Sequence, residues 1–397
     1  MASQNPVFIP GPTNLPDRLR HAMDMQTVNH RAPDFAESFV PLLKDLKPFF
    51  GTRTGEVFIF ASTGTGGLEA ALTNTLSPGD QILSSRYGMF SQRWIDLARR
   101  HGFEVRVVEK EWGDPVATTE YREILVADTH HHIKAVLATH NETATGVTSD
   151  IAAVRAALDA AHHPALLLVD CVSSLASMEF RMDDWGVDVA VTGSQKGFML
   201  APGLSMLALS PKARAACEHS KCPRFYLDIL DMREANKAGS FPYTPPTGLI
   251  RGLTESVAML AEEGLPQVFA RHRRLAEGTR RAVAAWGLKL CARHPETYSS
   301  TVTAVQVPAG FDSTAFVEHA YAHYRVAFGG GLGDVAGRVF RIGHIGDMTD
   351  TMLLSGLATA EMTMHDLGYP IELGSGVVAA QHYFSHPQAH DQQRQVA

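Results

Sequence analysis

The sequence predicts an α/β fold built on a large, mostly parallel sheet, with a second, smaller α+β domain towards its C-terminal end. Short apolar runs alternate with helical segments from about residue 55 onward, which is the pattern of parallel strands joined by helices. A polar or glycine-rich stretch follows each run directly. The length of 397 residues also exceeds the ~250 to 300 at which a single core stops growing.

Four apolar runs predict the central strands: VFIF at 57–60, AVLAT at 135–139, ALLLVD at 165–170 and DVAVT at 188–192. Between them, LEAALTNTL (68–76) and IAAVRAALDAAH (151–162) predict helices. Asp150 stands where it would cap the second of these.

Changes in composition predict the domain boundaries. The proline- and glycine-rich stretch FIPGPTNLP belongs to an N-terminal arm, residues 1–20, which we expect to lie across a surface. The large domain then spans 21–263. A second domain spans 264–378, starting with an arginine- and alanine-rich helix and continuing with short strands such as TAVQV. The polar tail, 379–397, is expected to fray.

Composition excludes several classes of protein. Apolar residues make up 45% of the chain and charged residues 19%, as in compact globular proteins, and the net charge is −7. The basic residues are scattered, so we expect no nucleic-acid partner. No apolar run reaches the ~18 to 20 residues of a membrane span, and MASQNPVFIPGP has neither the basic nor the apolar region of a signal peptide, so we expect a cytoplasmic protein. Its cysteines are expected to be reduced thiols: Cys171, Cys217, Cys222 and Cys291.

The ends of the four strands point to one site. The runs lead into STGTGG, NETATG, CVSS and SQKG, and ligands bind at the carboxyl ends of strands in open parallel sheets. STGTGG (62–67) opens a helix, where backbone N–H groups and the helix dipole favour a phosphate. It lacks the Gly-Lys-Ser/Thr ending of a nucleotide P-loop, and a plain glycine turn is the alternative interpretation.

Asp170 and Lys196 end two neighbouring strands. A carboxylate at the inner edge of an apolar strand is costly without a partner, and helix capping is the alternative explanation. The Lys196 ammonium must be paired, solvated or neutral, with an exposed strand-end lysine as the alternative. Pyridoxal phosphate (PLP) satisfies all three features at once, through its phosphate at the glycine loop, its ring nitrogen at Asp170 and its aldehyde at Lys196.

The motifs resemble the class V, fold-type I PLP-dependent aminotransferases of the alanine-glyoxylate and serine-glyoxylate branch. These motifs are PGPTNLP, STGTGG, HNETATGV, VDCVSS, VTGSQKGFMLAPGL and RIGH, in the family's order along nearly the whole chain. The resemblance implies that Lys196 is the catalytic lysine bonded to the cofactor aldehyde and that Asp170 bonds the ring nitrogen. Gly64, Thr65 and Gln195 would hold the phosphate.

The same resemblance implies further roles for residues outside these strand ends. Thr143 would contact the cofactor near its ring oxygen, and Gly11 and Arg341 would bind the substrate, with Arg341 on its α-carboxylate. Phe90 stands where several relatives stack a tryptophan on the ring, with Trp94 as the alternative.

The resemblance also implies an oligomer. Thr244 matches a threonine that reaches the phosphate of the partner subunit, which implies a homodimer with shared sites. A tetramer stays open as a further assembly.

The expected reaction moves an amino group from L-serine to glyoxylate and yields hydroxypyruvate and glycine by ping-pong kinetics. Aspartate-glyoxylate and alanine-glyoxylate aminotransferases on the same scaffold are the alternatives. Four residues are candidates for recognising the donor side chain, each with a purely structural role as its alternative: His30, Arg31, Tyr324 and His344.

Other classes of protein are less consistent with these residues. A cysteine desulfurase would need a mobile catalytic cysteine, which neither Cys171 nor Cys222 resembles. The adjacent histidines at 130–132 and 162–163 do not have the spacing of metal ligands, so we expect no metal. GGGLGDVAG, near 329, looks like a loop close to the substrate whose role stays open.

Overall fold

The computed structural model describes residues 7–26 and 28–385 of the chain. Its strands, in chain order, are β1 (Val7–Phe8), β2 (Glu56–Phe60), β3 (Gln81–Arg86), β4 (Glu104–Glu109), β5 (Ile133–Thr139), β6 (Asn141–Glu142), β7 (Val147–Thr148), β8 (Leu166–Asp170), β9 (Val189–Gly193), β10 (Ser205–Leu209), β11 (Lys289–Leu290), β12 (Val302–Gln306), β13 (Ala327–Gly330) and β14 (Val339–Gly343).

Its α-helices are α1 (Asp17–Met23), α2 (Pro33–Asp45), α3 (Lys47–Phe50), α4 (Gly64–Thr75), α5 (Met89–Arg100), α6 (Thr118–Ala127), α7 (Ile151–Ala160), α8 (Pro211–Cys217), α9 (Ile229–Lys237), α10 (Thr247–Glu263), α11 (Leu265–Ala285), α12 (Ser313–His319), α13 (Asp350–Asp366) and α14 (Ser375–Ser385). Short 3-10 turns span Pro295–Thr297 and Gly333–Val335, and a π-helical turn spans Ala320–Tyr324. None of the helices in the described ranges combines the length and apolarity needed to cross a membrane.

The large sheet has seven strands within the described residues, in the order β2-β10-β9-β8-β5-β3-β4. β10 runs antiparallel to both of its neighbours, and the remaining strands run parallel to one another. Every residue of β8 and β9 is buried, as expected when helices cover both faces of a parallel sheet. The predicted α/β class and the four predicted central strands are confirmed.

Local signals explain why several helices begin where they do. Asp150 accepts a hydrogen bond from Ala153 N at 2.9 Å and caps α7, as the sequence predicts. Asp228 caps α9 in the same way. Gly264 has φ +83 and separates α10 from α11, at the position where the sequence analysis starts the second domain.

The smaller sheet has the order β1-β13-β14-β12-β11 within the described residues. Its first strand comes from the N-terminal arm, since Val7 and Phe8 pair in parallel with Ala327 and Phe328. The sequence predicts that the arm lies across a surface. In the structure it instead forms a strand of the small sheet. Phe8 is only 1% exposed, because its ring enters the apolar core of the small sheet.

The C-terminal end also differs from its prediction. α14 covers residues 375–385 and packs along α11, so the first part of the predicted tail 379–397 is helical. Its buried Ala380 contributes to the small core. Residues 386–397 of that tail lie outside the described residues.

Candidate active site

The carboxyl ends of β2, β5, β8 and β9 lie on one edge of the large sheet, because these four strands are mutually parallel. The register places Asp170, the last residue of β8, between Thr139 of β5 and Val191 of β9. Lys196 follows β9 in a turn. Parallel pairing thus brings the predicted strand ends together, as expected.

Lys196 is buried beneath the N-terminal arm. Its side chain is 8% exposed, and its Nζ donates to Pro10 O. Gly11 has φ +108, and a Cβ there would lie 2.4 Å from Lys196 Cδ, so only glycine lets the arm approach the lysine this closely. Burial first, and the charge of Arg341 second, lower the pKa of Lys196 to about 8, although the charge of Asp170 acts in the opposite direction. The arm and the turn after β9 therefore enclose an amine that loses its proton unusually easily.

Asp170 is buried without a hydrogen-bonded cation in the described chain. Its Oδ1 accepts from Val172 N at 2.9 Å, and burial raises the pKa of its carboxyl to about 7. The residues after it form turns and no helix, so the helix-capping alternative does not apply. The charge of Lys196 favours the ionised carboxylate, but the burial cost outweighs it.

The glycine loop lies next to the turn that carries Lys196. α4 begins at Gly64, and Thr63 before it provides no side-chain cap. A Cβ at Gly193 would lie 2.7 Å from Gln195 Oε1 and 3.4 Å from Gly64 N, so these polar groups share one small space. Gln195 Oε1 is buried with no hydrogen-bond partner among the described residues. Thr65 is exposed in the first turn of α4.

Arg341, on β14 of the small sheet, points a buried guanidinium at the segment after β6. It is 7% exposed, its Nε donates to Gly330 O at 2.9 Å, and its Nη1 donates to Thr143 O at 3.3 Å. Within the described chain no carboxylate is hydrogen-bonded to it. Burial lowers the pKa of Arg341 to about 10, and the negative charge of Glu142 opposes that shift. A cation that bonds only carbonyl groups is suited to bind an anion.

A hydroxyl network surrounds Thr143. Thr143 Oγ1 donates to Ser173 Oγ at 2.7 Å, and Ser173 Oγ donates to Asn141 O at 2.9 Å. Asn141 Nδ2 also donates to Thr301 Oγ1, directly before β12 of the small sheet, at 3.0 Å. These bonds fix the segment after β5 against the turn after β8 and against the small domain.

The two aromatic candidates occupy different environments on α5. Trp94 is 1% exposed and lies in the main hydrophobic core. Phe90 lies in the first turn and is only partly buried, and the guanidinium of Arg93 stands 5.0 Å from its ring centre. Of these two aromatic rings, Phe90 is therefore the one with exposed surface.

The other predicted residues are spread over the molecule. His344 is fully buried and bonds Thr303 Oγ1 at 2.9 Å, and burial lowers its pKa to about 3. Tyr324 donates to Asp366 Oδ2 at 2.5 Å on the small domain. His30 Nε2 is buried without a partner in the described residues, and Arg31 is exposed.

Thr244 is exposed in the segment before α10. It follows Tyr243, whose ring stacks 4.9 Å from that of Tyr226. Tyr226 OH donates to Ala61 O at 3.2 Å, directly before the glycine loop.

The sequence analysis missed Glu142, which is completely buried between these parts. Its carboxylate accepts from the backbone N–H groups of Phe90, Ser91 and Ala144. The sequence could have indicated it, because only His140 and Asn141 separate this acidic residue from the end of the apolar run AVLAT.

A buried lysine and a buried aspartate at the carboxyl edge of the large sheet, with a buried arginine of the small sheet bonded to the segment after β6, form the arrangement expected of an aminotransferase. The family model described as aminotransferase class V matches residues 19–328, and the chain belongs to that family.

Curated relatives cover almost the whole chain. An L-aspartate-glyoxylate aminotransferase of Paracoccus denitrificans is 60% identical over 384 residues, covering 97% of each chain. A serine-glyoxylate aminotransferase of Hyphomicrobium methylovorum is 52% identical, covering 96% of this chain and 94% of the relative. That of Methylorubrum extorquens is 51% identical, covering 96% of each chain.

Solved structures agree with the fold. A pyridoxamine-pyruvate aminotransferase from Mesorhizobium loti superposes with a TM-score of 0.90 at 28% identity, covering 97% of this chain and 98% of that one. An alanine-glyoxylate aminotransferase from Nostoc sp. gives 0.85 at 29% identity, covering 92% and 96%. The fold-type I architecture expected from the sequence is confirmed.

Proposed function

We propose that this aminotransferase binds PLP and transfers an amino group from a small amino acid to glyoxylate, with L-serine as the donor that the sequence predicts. The observation that carries the proposal is the buried pair Lys196 and Asp170 on neighbouring strand ends, each with a strongly shifted pKa and neither in a hydrogen-bonded ion pair within the described chain. The acceptor follows from the relatives, since all three aminotransferases described at 51–60% identity are named for glyoxylate.

The residues present fit the cofactor. The backbone N–H groups at Gly64 and Thr65 suit a phosphate. Gln195 lies beside them and would donate to the phosphate through its side-chain NH2 group, since its amide oxygen only accepts. Burial raises the pKa of Asp170 to about 7 because its carboxylate has no cationic hydrogen-bond partner in the described chain. A protonated ring nitrogen of the cofactor would be that partner. Lys196 provides the amine for the aldehyde.

Phe90 and Thr143 complete the proposed cofactor site. Phe90 provides a partly exposed aromatic face, while the burial of Trp94 in the core supports Phe90 as the stacking residue. The hydroxyl of Thr143 lies in the network that would flank the ring.

When bound, the cofactor supplies an electron sink that stabilises the carbanion formed at the α-carbon of the substrate. Arg341 binds the α-carboxylate and fixes the position of the α-carbon. Lys196 Nζ, in its neutral form, removes the α-proton and returns it within the same site. Asp170 holds a proton at the ring nitrogen. Because donor and acceptor both carry an α-carboxylate, Arg341 serves both half-reactions, which requires ping-pong kinetics.

L-aspartate is the second candidate donor, and two observations favour it. The relative named for aspartate is 60% identical to the chain, compared with 52% and 51% for those named for serine. Aspartate also carries a side-chain carboxylate in addition to its α-carboxylate, and binding it requires a second cation in the site. Arg93 has no carboxylate partner among the described residues, and its charge acts on both Lys196 and Asp170.

A donor titration decides between them. The purified protein, loaded with PLP, is mixed with serine, aspartate or alanine, and the loss of the bound-cofactor absorbance and the oxo-acid product are followed before and after glyoxylate is added. Loss of the bound-cofactor absorbance with serine but not with aspartate would select serine as the donor, and the reverse would select aspartate. In either case the proposal expects glycine from glyoxylate and no turnover by the Lys196→Ala variant. Absence of cofactor binding in the wild-type protein would refute it.

We also infer a cytoplasmic homodimer in which Thr244 of one subunit reaches the cofactor phosphate of the other. The exposed position of Thr244 and the aromatic pair Tyr226 and Tyr243 beside it support this interface. Sedimentation of the purified chain at several concentrations tests the dimer.

A further inference from the structure

The position before α5 has no side chain that could accept from the N–H groups of the first turn. The Ser91 hydroxyl accepts from Gly88 N at 3.1 Å, and the N–H groups of Phe90 and Ser91 themselves need another acceptor. The residue before the helix is Gly88, whose backbone is fully extended (φ 176), so glycine is not required there by its conformation. The N–H groups of a first helical turn have no partners inside the helix and are normally capped by a side chain at the position that Gly88 occupies.

Glu142 replaces the missing cap. Its Oε2 accepts from Ser91 N at 2.9 Å and from Phe90 N at 3.1 Å, while its Oε1 accepts from Ala144 N at 3.2 Å. A Cβ at Gly88 would lie 2.2 Å from both Cγ and Cδ of Glu142. The carboxylate of Glu142 therefore fills the space in which the side chain of a helix cap would stand, and its negative charge faces the positive end of the α5 dipole.

The same short segment also contacts the arginine of the site. Thr143, the next residue along the chain, accepts through its carbonyl oxygen from Arg341 Nη1 at 3.3 Å. The side chain of Glu142 thus ties down the turn that carries Phe90, and the neighbouring peptide ties down Arg341. Two consecutive buried residues, Glu142 and Thr143, thus connect the turn that carries Phe90 with the guanidinium of Arg341 on the small sheet.

We propose that Glu142 is a positioning residue for the transamination reaction, which caps α5 from a distance and thereby fixes Phe90 relative to Arg341. This inference rests on the proposed function, because it assigns Phe90 to the cofactor and Arg341 to the substrate carboxylate. Glu142 acts through these two residues and needs no contact of its own with a ligand.

Charges around Glu142 are consistent with this role. Burial raises the pKa of its carboxyl, and the three backbone N–H groups act in the opposite direction. Its negative charge favours the charged form of Arg341 and disfavours ionisation of Asp170. The charge of Glu142 therefore influences the protonation of Arg341 and of Asp170, in addition to its hydrogen bonds to α5.

The test removes the carboxylate and then restores it from the helix itself. Glu142→Ala empties the space next to Gly88, and the double variant Glu142→Ala/Gly88→Asp places a new carboxylate there at the ordinary cap position. Backbone hydrogen exchange at residues 90 and 91 is measured in the cofactor-free protein, and KM and kcat for the donor are measured in the loaded enzyme.

We expect Glu142→Ala to accelerate exchange at these two amides by about five- to tenfold, the effect of losing a helix cap, while exchange elsewhere changes little. KM for the amino donor should rise at least about tenfold, because Arg341 loses its fixed position. The double variant should bring exchange at residues 90 and 91 back towards the wild-type rate.

Asp183→Asn is the matched control. Its carboxylate also accepts backbone N–H groups from a distant segment, with Arg53 N at 2.8 Å. That segment precedes β2, so the contact lies at the end of the strand opposite the glycine loop. This variant should lose comparable stability and leave KM for the donor unchanged.

Three results would overturn the proposal. The first is that amides 90 and 91 exchange in Glu142→Ala at the wild-type rate. The second is that they exchange faster in Glu142→Ala while KM for the donor stays unchanged. The third is that the double variant recovers neither the fold nor the protection of these amides. If Glu142→Ala does not fold, recovery of a folded and locally protected chain in the double variant supports the proposal. A wild-type protein without transaminase activity would refute the proposed function, and the exchange result would still report on the cap.

Discussion

At the scale of single residues, the environment of Lys196 determines its chemistry. A lysine on a solvated helix face stays protonated at neutral pH, whereas burial and the nearby charge of Arg341 bring the pKa of Lys196 to about 8. The neutral amine required for bonding to an aldehyde is therefore populated within reach of physiological pH. Pro10 and Gly11 of the arm complete this enclosure.

This environment predicts how cofactor capture depends on pH. The rate at which the cofactor-free protein binds PLP should rise with pH and level off above about 8, because only the deprotonated amine reacts. Arg341→Gln removes a positive charge that disfavours the ammonium, so it should move the inflection to higher pH. Rates of PLP binding measured by stopped-flow absorbance across the pH range give the inflection for the wild-type protein and for the variant.

Arg273→Gln, on the exposed face of α11, is the control and should leave the inflection where it is. An inflection in the wild-type protein near 10.5, the ordinary value for lysine, would contradict the prediction.

A second prediction at this scale concerns Arg93 and the choice of donor. If its guanidinium pairs with the side-chain carboxylate of aspartate, Arg93→Leu should lower kcat/KM for aspartate by about 10- to 100-fold, as expected for a lost charged hydrogen bond. The value for serine should change less than about threefold. Equal losses for both donors would show that Arg93 does not select between them.

At the scale of elements, the loop between β13 and β14 of the small sheet contacts residues beside the large sheet. This loop spans residues 331–338, and its Asp334 carboxylate accepts from Arg86 Nη1 at 3.1 Å, at the carboxyl end of β3. A Cβ at Gly333 would lie 2.7 Å from the ring of Trp112, so the loop packs closely on the large domain. Gly330, directly before it, accepts from Arg341. The loop that the sequence analysis left without a role therefore holds Arg341, the proposed ligand of the substrate carboxylate, close to the residues that end β3.

This contact predicts a modest effect on substrate binding. Asp334→Asn should raise KM for the donor about two- to fivefold, because an exposed ion pair contributes roughly 0.2 to 1 kcal/mol, and the effect should fade at high salt. Glu109→Gln is a matched control, since Glu109 pairs with the same Arg86 at 2.6 Å within the large domain. An equal rise in KM for both variants would argue against a role for the loop.

At the scale of the whole molecule, the N-terminal arm couples the two sheets. Its Phe8 fills the core of the small sheet, stacked 5.8 Å from Phe328, and two residues later Pro10 bonds the lysine of the large domain. The stability of the small core and the position of Lys196 are therefore linked through three residues of chain.

Phe8→Ala should lower the free energy of unfolding by about 3 to 5 kcal/mol, the usual cost of a large aromatic cavity. It should also shift the pH inflection of cofactor capture, because Pro10 is released from Lys196. Met364→Ala opens a cavity in the same core at the far end of α13, two turns away from Gly356, the glycine of that helix that packs on Phe8, so it should destabilise the protein similarly and leave the inflection unchanged. Denaturant unfolding and the capture assay measure the two effects. Identical pH profiles for both variants would contradict the proposed coupling.

Residues of the site that follow directly from a strand could be predicted from the sequence. Asp170 and Lys196 end apolar runs, and parallel strands bring their carboxyl ends to one edge whatever the details of packing. The glycine loop and its helix are also local features, because α4 begins within STGTGG. The predicted roles of these side chains toward a cofactor and a substrate remain predictions that the proposed experiments test.

The sequence by itself thus determined the class of fold, the central strands and the strand-end residues, since each depends on periodicity and on chemistry within a few residues. Only the tertiary structure decided that the arm forms a strand of the small sheet, that β10 runs antiparallel, and that Glu142 caps α5. These features join segments separated by between 12 and about 320 residues in the chain, and such pairings leave no local pattern because any suitably shaped partner satisfies them.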